Sequence, residues 1–267
     1  VHPLMTTIEE IQKRGTLVQT LTLTPLTFSH LNQLVSDTLH LPLAHTSPLA
    51  ELVLEKTGGN PFFMGEFLKT LYVEHWLEFN LSQREWQWDL AQIKARNITA
   101  NVVELMTGKI QRLPAPTQVI LKLAASIGNQ FDLATLAVIS QQTAEQVKAA
   151  LWETLKEGLV VPLGENYKFV HDRVQQAAYS LIPEPERPAL HWQIGQLLNT
   201  HLGETLGERR FEVVDHLNQG RSLAATTEEK MQLVRLNLQA GQKAKSAAAY
   251  QAALNYLRNS FACLPSD

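Results

Sequence analysis

The sequence predicts a mainly α-helical protein that carries two small β-hairpins. Apolar residues recur at helical spacing in most segments, and many segments begin at a Ser, Thr, Asp or Asn that is suited to cap a helix. Two stretches, "WLEFNLSQREWQWDL" (76–90) and "LVVPLGENYKFVHD" (159–172), change to a period of two, which is typical of paired strands. The 267 residues, 45% of them apolar, are enough for two domains with a buried core.

Composition argues against several functional classes. The net charge is −3, so the chain lacks the excess of basic residues that attracts nucleic acid, and no nucleic-acid partner is expected. No apolar run approaches the roughly 18–20 residues of a membrane span. Cys263 is the single cysteine, which rules out an intrachain disulfide and fits a reducing, cytoplasmic location. Because no Cys/His cluster has metal-ligand spacing, we expect no metal site.

The stretch "TLVQTLTLTPL" (16–26) predicts a β-strand near the beginning of the sequence. A lone strand is not stable, and no neighbouring segment is suited to pair with it. We therefore expect the chain to be a piece of a longer protein whose sheet lies upstream. A short edge strand on a helical domain is the alternative.

Residues 26–112 predict a helical domain with one hairpin. The elements, in order, are a helix from Thr27 or Ser29 to before Pro42, a helix opened by Ser47 and Pro48, a helix from Asn60 and Pro61 to about Glu78, the hairpin within 76–90 and a helix near 98–112.

Residues 113–183 predict a winged-helix domain, that is, three helices and a two-stranded wing. The elements are a helix at about 115–127, a helix capped by Asp132, a helix with a Thr143/Gln146 capping box that ends at Gly158, strands Leu159–Leu163 and Tyr167–Val170, and a last helix from Asp172 to before Pro183.

Residues 184–267 predict only helices: Leu190–Leu202, Glu208–Asn218, Thr227–Gln239 and Ala244–Cys263. Gly241, Ala253 and Pro265 follow one another at intervals of twelve residues, which matches a 34-residue helical-hairpin repeat of the tetratricopeptide (TPR) type. We expect this unit to begin an array that contacts protein partners.

The sequence contains no complete ATP site. Its one Gly-Lys pair, Gly108-Lys109, is followed by Ile110 and lacks the glycine that a phosphate loop needs five residues earlier. No catalytic residue is therefore predicted. Two local features remain: the corner "TGGNPFF" (57–63) and the junction "FVHDRVQQAAY" (169–179). Each has a plain structural explanation, a helix–helix turn for the first and a helix cap for the second.

Taken together, "TLTLTPL", "TGGNPFF", "EFNLSQREWQWDL" and "FVHDRVQQAAYSLIP" give the chain a family likeness. It resembles the STAND class of AAA-related signalling ATPases. The likeness is greatest to bacterial, especially cyanobacterial-type, proteins that join a Ser/Thr kinase, this ATPase and a sensor histidine kinase. It covers about residues 1–200 well and the tail loosely.

The resemblance implies a role for four residues. Pro61, with Gly59 beside it, would pack on the adenine, and His171 would reach the β-phosphate of ADP, with Asp172 orienting the junction. Val170 stands where the family often has methionine. Residues 1–25 would be the C-terminal edge of an upstream NTPase core, which would supply the Walker motifs and Mg²⁺. The cofactor would be ATP or ADP, and the parent protein would be an ATPase and a kinase.

Two other functions stay open. One is a DNA-binding winged helix, whose recognition helix would be 143–157. That helix carries two lysines against three glutamates, whereas DNA readers bring several basic residues to phosphates. The other is a helical adaptor that binds no nucleotide.

Overall fold

The computed structural model describes residues 8, 11–95, 101–203, 207 and 209–264. The chain divides into two compact units, Val1–Asn101 and Val102–Asp267. The described part is mainly helical with two small antiparallel sheets, which confirms the predicted fold class. None of the described helices is long and apolar enough to cross a membrane.

The first unit packs helices beside one hairpin. Its elements are α1 (Phe28–Leu39), α2 (Leu43–Thr57), α3 (Pro61–Val73), β1 (Leu77–Asn80), β2 (Glu85–Trp88) and α4 (Leu90–Ala95). The core is built from apolar residues at helical spacing, namely Leu31, Val35, Leu49, Val53, Met64, Phe67 and Leu71. The predicted caps are confirmed at Thr27, which accepts from the His30 N–H, and at Asn60, which accepts from the Phe63 N–H.

Two helix boundaries in this unit differ from the prediction. Helix α2 begins at Leu43, so Pro48 lies inside the helix and does not open it. Asn32 holds the early start, because it donates to the Leu43 carbonyl and accepts from Thr46 Oγ1 at 2.7 Å. Helix α3 ends at Val73 and not near residue 78. At this end of the helix the Trp76 N–H donates to the Leu71 carbonyl at 2.8 Å, and His75 has a positive φ of 61°, which ends the helix.

The strand predicted at 16–26 is not found in the described chain. Residues 16–27 have no regular secondary structure, and Leu17, Leu21 and Leu23 are 87–89% exposed. The segment makes one backbone contact with a helical corner, from the Leu26 N–H to the Gly59 carbonyl at 2.8 Å. The residues have strand propensity, but a strand also requires a partner to pair with.

The second unit contains helices and one three-stranded sheet. Its elements are α5 (Val102–Gln111), α6 (Ala115–Ile127), β3 (Gln130–Asp132), α7 (Leu133–Ser140), α8 (Ala144–Lys156), β4 (Val160–Leu163), β5 (Asn166–Phe169), α9 (Asp172–Ser180), α10 (Arg187–Leu202), α11 (Arg210–Gln219), α12 (Thr227–Ser246) and α13 (Tyr250–Ala262).

The sheet contains one strand that the sequence did not reveal. Its order is β3-β5-β4 with antiparallel pairing throughout, so β5 is central. Strand β3 is three residues long, too short for an alternating pattern to show. It is held by the pair Phe131 and Tyr167, whose rings stack with centroids 6.1 Å apart. The predicted Asp132 cap and Thr143/Gln146 capping box are both confirmed.

The last two helices form a hairpin with a later turn than predicted. Helix α12 runs without a break to Ser246, and the turn follows at residues 247–249, with Ala248 at a φ of 58°. The predicted close packing at Gly241 is confirmed, because a Cβ there would stand 3.1 Å from Leu257 Cγ. Pro265 lies outside the described residues, so the repeat assignment stays a prediction, as does the division into four domains.

Candidate functional site

The Gly-x-Pro corner of the first unit is a close contact between two backbone segments. Gly58 and Gly59 both have positive φ, 58° and 75°, as expected where a helix ends. Gly59 has a second constraint, because a Cβ at this position would lie 2.4 Å from the Leu26 carbonyl oxygen. Only glycine allows this approach. A plain turn therefore explains Gly58, whereas Gly59 also joins the corner to the segment before α1.

Pro61 presents its ring at the surface of this corner. It is the first residue of α3 and is exposed. Asn60 Oδ1 accepts the Phe63 N–H at 3.0 Å, which fixes the first turn of the helix. The pyrrolidine is thus held in one orientation on a rigid support. Such a ring can pack against a flat apolar group without needing a hydrogen-bond donor.

His171 caps α9 in the second unit. Its Nδ1 accepts the Arg173 N–H at 3.1 Å, and the residue is half-buried. Since Nδ1 is the acceptor, the neutral imidazole carries its proton on Nε2. Two backbone bonds hold the junction before it, from the Phe169 N–H to the Asn129 carbonyl and from the Val170 N–H to the Leu159 carbonyl. Sequence reasoning left this capping role as an alternative, and the structure confirms it.

Asp172 and Val170 flank this histidine. Asp172 is the first residue of α9, where a carboxylate interacts favourably with the helix dipole, and it is exposed. Val170 is 41% exposed, so it does not anchor the junction in the core as a buried apolar residue would. Behind the junction, α9 is fixed by buried Val174 and by Gln175, whose side chain donates to the Ala125 carbonyl at 3.2 Å.

The four predicted site residues fall into two groups. Gly59 and Pro61 belong to the first unit, and His171 and Asp172 belong to the second. Within its own unit, each group is a rigid corner at the beginning of a helix. Each could hold part of a ligand: an apolar ring at Pro61, and an N–H donor beside a positive helix end at His171.

A buried histidine pair in the second unit was missed by sequence reasoning. His191 Nδ1 and His216 Nδ1 are 2.8 Å apart, and His191 Nε2 is 2.8 Å from the Tyr179 hydroxyl. Burial and the neighbouring His191 lower the pKa of His216 to about 4, and burial followed by the Arg187 charge lowers the pKa of His191. The sequence signal is faint: His191 shares a helix face with buried Ile194 and Leu198.

Helix α8 does not have the charge distribution of a DNA-reading helix. Lys156 lies 4.0 Å from the Glu153 carboxylate on the same helix. Lys109 of α5 donates to the Glu157 carbonyl at 2.8 Å, so this basic side chain is also engaged within the protein. These pairings argue against the DNA-binding alternative.

A comparison with known proteins found sequence similarity to one signalling protein. It is 29% identical over 287 residues to hybrid signal transduction histidine kinase G of Dictyostelium discoideum. The match covers 87% of this chain but only 8% of the length of that protein. No protein-family model and no solved structure matches the chain. The chain therefore spans only a small part of the length of this relative.

Proposed function

We propose that this chain is the nucleotide-responsive segment of a STAND-type signalling ATPase. In this proposal it consists of a helical lid, a winged-helix domain and the first helices of a TPR-like array. It closes on ADP and opens when ADP is exchanged for ATP. The observation that carries the proposal is the cap geometry of His171, which sets an imidazole N–H donor at the beginning of α9.

The His171 corner has the chemistry of a phosphate contact. The Nδ1 acceptor role leaves the proton on Nε2, and a hydrogen bond from an imidazole to a phosphate oxygen is charge-assisted. The positive end of the α9 dipole adds a favourable field for an anion. The strand order β3-β5-β4 with helices α6, α7 and α8 is the arrangement expected for a winged-helix domain. In that arrangement, His171 lies at the turn between the last strand, β5, and the last helix, α9.

The Pro61 corner has the chemistry of an adenine contact. The pyrrolidine is exposed, and the Gly59 contact with Leu26 together with the Asn60 cap fixes the backbone around it. A purine ring can stack on this surface through dispersion and apolar burial alone. In the proposal, the Pro61 corner contributes the adenine contact of ADP, and the upstream NTPase core holds Mg²⁺ and the remaining phosphate groups.

The switch requires that the closed arrangement bind ADP better than ATP. A ligand moves a conformational equilibrium only by its differential affinity for the two states. In the proposal His171 supplies that difference, because the β-phosphate that it contacts is the terminal, more highly charged phosphate of ADP, whereas in ATP it is linked to the γ-phosphate. The C-terminal helices would carry protein partners, and the chain itself performs no catalysis.

A pair of substitutions at residue 171 tests the assignment in the intact protein. His171→Asn keeps a side-chain acceptor for the Arg173 N–H, since Asn is a good helix cap, but removes the imidazole donor. His171→Ala removes both. We expect both variants to bind ADP roughly 10- to 100-fold more weakly, the loss expected for a hydrogen bond to a charged group, with little change for ATP. Only His171→Ala should also lower thermal stability.

The control is His201→Asn, which removes an exposed histidine from α10. Binding is measured by the fluorescence of a labelled ADP analogue competed with ADP or ATP. ADP affinity in His171→Asn equal to that of the control would exclude His171 as a phosphate contact. A Pro61→Ala variant with unchanged affinity for both nucleotides would exclude the adenine contact.

A further inference from the structure

A groove in the first unit combines aromatic rings with carboxylates. Its volume is about 670 Å³, and it runs along the hairpin and the beginnings of α2 and α4. We name it the acidic aromatic groove, after the lining residues Trp76, Trp86, Trp88, Glu78, Glu85 and Asp89. It is separate from the Pro61 corner, and a ligand bound in it would be independent of the nucleotide function.

The aromatic part of the groove is rigidly built. Trp86 meets Tyr72 and Phe79 edge to face, with ring centroids 5.9 and 5.5 Å apart, and Trp88 packs against His45 at 5.3 Å. Trp76, Trp86 and Trp88 are nevertheless only half-buried. Three of the five tryptophans in the chain thus line one groove and keep part of their surface in solvent. Partly exposed tryptophans of this kind are enriched where proteins bind partners.

The charge of the groove has one sign. Glu78, Glu85 and Asp89 line it, and among the described lining residues there is no lysine or arginine. The whole chain has 23 basic and 26 acidic residues, so this local excess does not follow from composition. His75 Nδ1 lies 2.7 Å from Glu78 Oε1, so Glu85 and Asp89 are the lining carboxylates that do not face this imidazole ring.

Aromatic faces beside carboxylates recognise organic cations. A guanidinium stacks on an indole and donates to a carboxylate from its edge at the same time, which an ammonium does less well. The groove is open and follows the consecutive residues 85–90, so it is long enough for several residues of an extended chain and too large for a single side chain. We propose that the acidic aromatic groove binds an arginine-bearing segment of a partner protein.

A labelled peptide tests this binding with the full chain. The probe is a fluorescein-labelled decapeptide of alternating arginine and serine, and the matched control peptide has glutamate in place of arginine. We expect saturable binding of the arginine peptide by fluorescence anisotropy, weaker at about 300 mM than at about 50 mM NaCl, and none of the glutamate peptide. No saturable binding up to about 1 mM peptide would overturn the proposal.

Paired charge variants separate the groove from general attraction. Glu85→Gln with Asp89→Asn removes two carboxylates, and the asparagine keeps the oxygen that accepts the Ala91 and Gln92 N–H groups at 2.8 and 3.0 Å. The matched control is Glu51→Gln with Glu55→Gln, two exposed α2 positions outside the groove. We expect roughly tenfold weaker binding in the groove variant and less than twofold in the control. Equal losses in the two would overturn the proposal.

The aromatic contribution is tested by Trp86→Phe with Trp88→Phe. Phenylalanine keeps an apolar ring against Tyr72, Phe79 and His45 but is a poorer partner for a cation. We expect about fivefold weaker binding of the arginine peptide, with the helical circular dichroism signal unchanged. An unchanged affinity in a folded double variant would show that the indoles take no part.

Discussion

The buried pair of His191 and His216 predicts that acid opens the packing of α10 against α11. His216 is 4% exposed and has its pKa lowered to about 4, so it stays neutral in the folded protein over a range in which it is protonated when unfolded. The two Nδ1 atoms, 2.8 Å apart, share one proton between them. If both rings were fully protonated, two N–H groups would face each other, and the Arg187 charge nearby adds to the repulsion.

The size of the effect follows from the pKa of His216. Lowering from 6.5 to about 4 corresponds to about 3 kcal/mol of destabilisation once the pH is below the folded pKa. The sign is fixed, because the unfolded state binds more protons throughout this window. Stability is therefore highest above about pH 6.5, falls as the pH falls, and levels off near pH 4. At about pH 5 the local opening constant should be roughly 30-fold higher than at pH 7.5.

Hydrogen exchange followed by mass spectrometry measures how the opening of α10 and α11 depends on pH. The readout is the protection of amides in residues 187–219, corrected for the intrinsic pH dependence of exchange. His216→Asn places an amide near the Nδ1 position and cannot be protonated, so its protection should depend much less steeply on pH. Its absolute stability is not the readout, because the lost ring volume also destabilises it.

His201→Asn is the matched control, since it removes an exposed histidine from the same helix as His191. The amide protection of this variant should depend on pH in the same way as that of the unmodified protein. Burial raises the pKa of the neighbouring Asp215, against the opposing hydrogen bond from Tyr256, and this contribution cancels between the two profiles. Equal slopes for His216→Asn and His201→Asn between about pH 7 and pH 5 would refute the reasoning.

Three further predictions concern stability and are measured by thermal and urea unfolding. Gly59→Ala should lower the free energy of unfolding by about 1–3 kcal/mol or more, because its Cβ would meet the Leu26 carbonyl oxygen. Gly65→Ala should raise it by about 0.5–1 kcal/mol, because Gly65 lies inside a helix and a Cβ there would have no atom within 4 Å. Equal effects would contradict the close contact. Thr143→Ala should cost about 1 kcal/mol through the lost capping box of α8, and a cost near zero would show that the cap is dispensable. Tyr256→Phe should lower the free energy of unfolding by about 1 kcal/mol at neutral pH, because loss of the hydrogen bond to Asp215 raises the pKa of that carboxyl further. This loss of stability should become smaller as the pH falls. No loss at neutral pH would show that the hydrogen bond contributes nothing.

Local signals in the sequence were sufficient for most elements. A helix beginning is encoded by a few adjacent residues, so Asn60, Asp132 and the Thr143/Gln146 pair marked their helices correctly. The hairpins were visible because alternation extends over several residues on both strands. The mainly helical class followed from these signals alone.

Other features depend on contacts between distant residues, and sequence patterns did not reveal them. Helix α2 begins at Leu43 because Asn32, eleven residues earlier, bonds to it, and this outweighs the proline signal at residue 48. The pair His191 and His216 joins two helices across 25 residues. At the candidate site, His171 was predicted and its cap is observed, whereas its part in nucleotide binding stays a proposal.

The single hydrogen bond between Leu26 and Gly59 makes a short mechanical link across a long stretch of chain. Tension on the segment before α1 reaches the turn ahead of Pro61 through this one bond, without passing along α1 and α2.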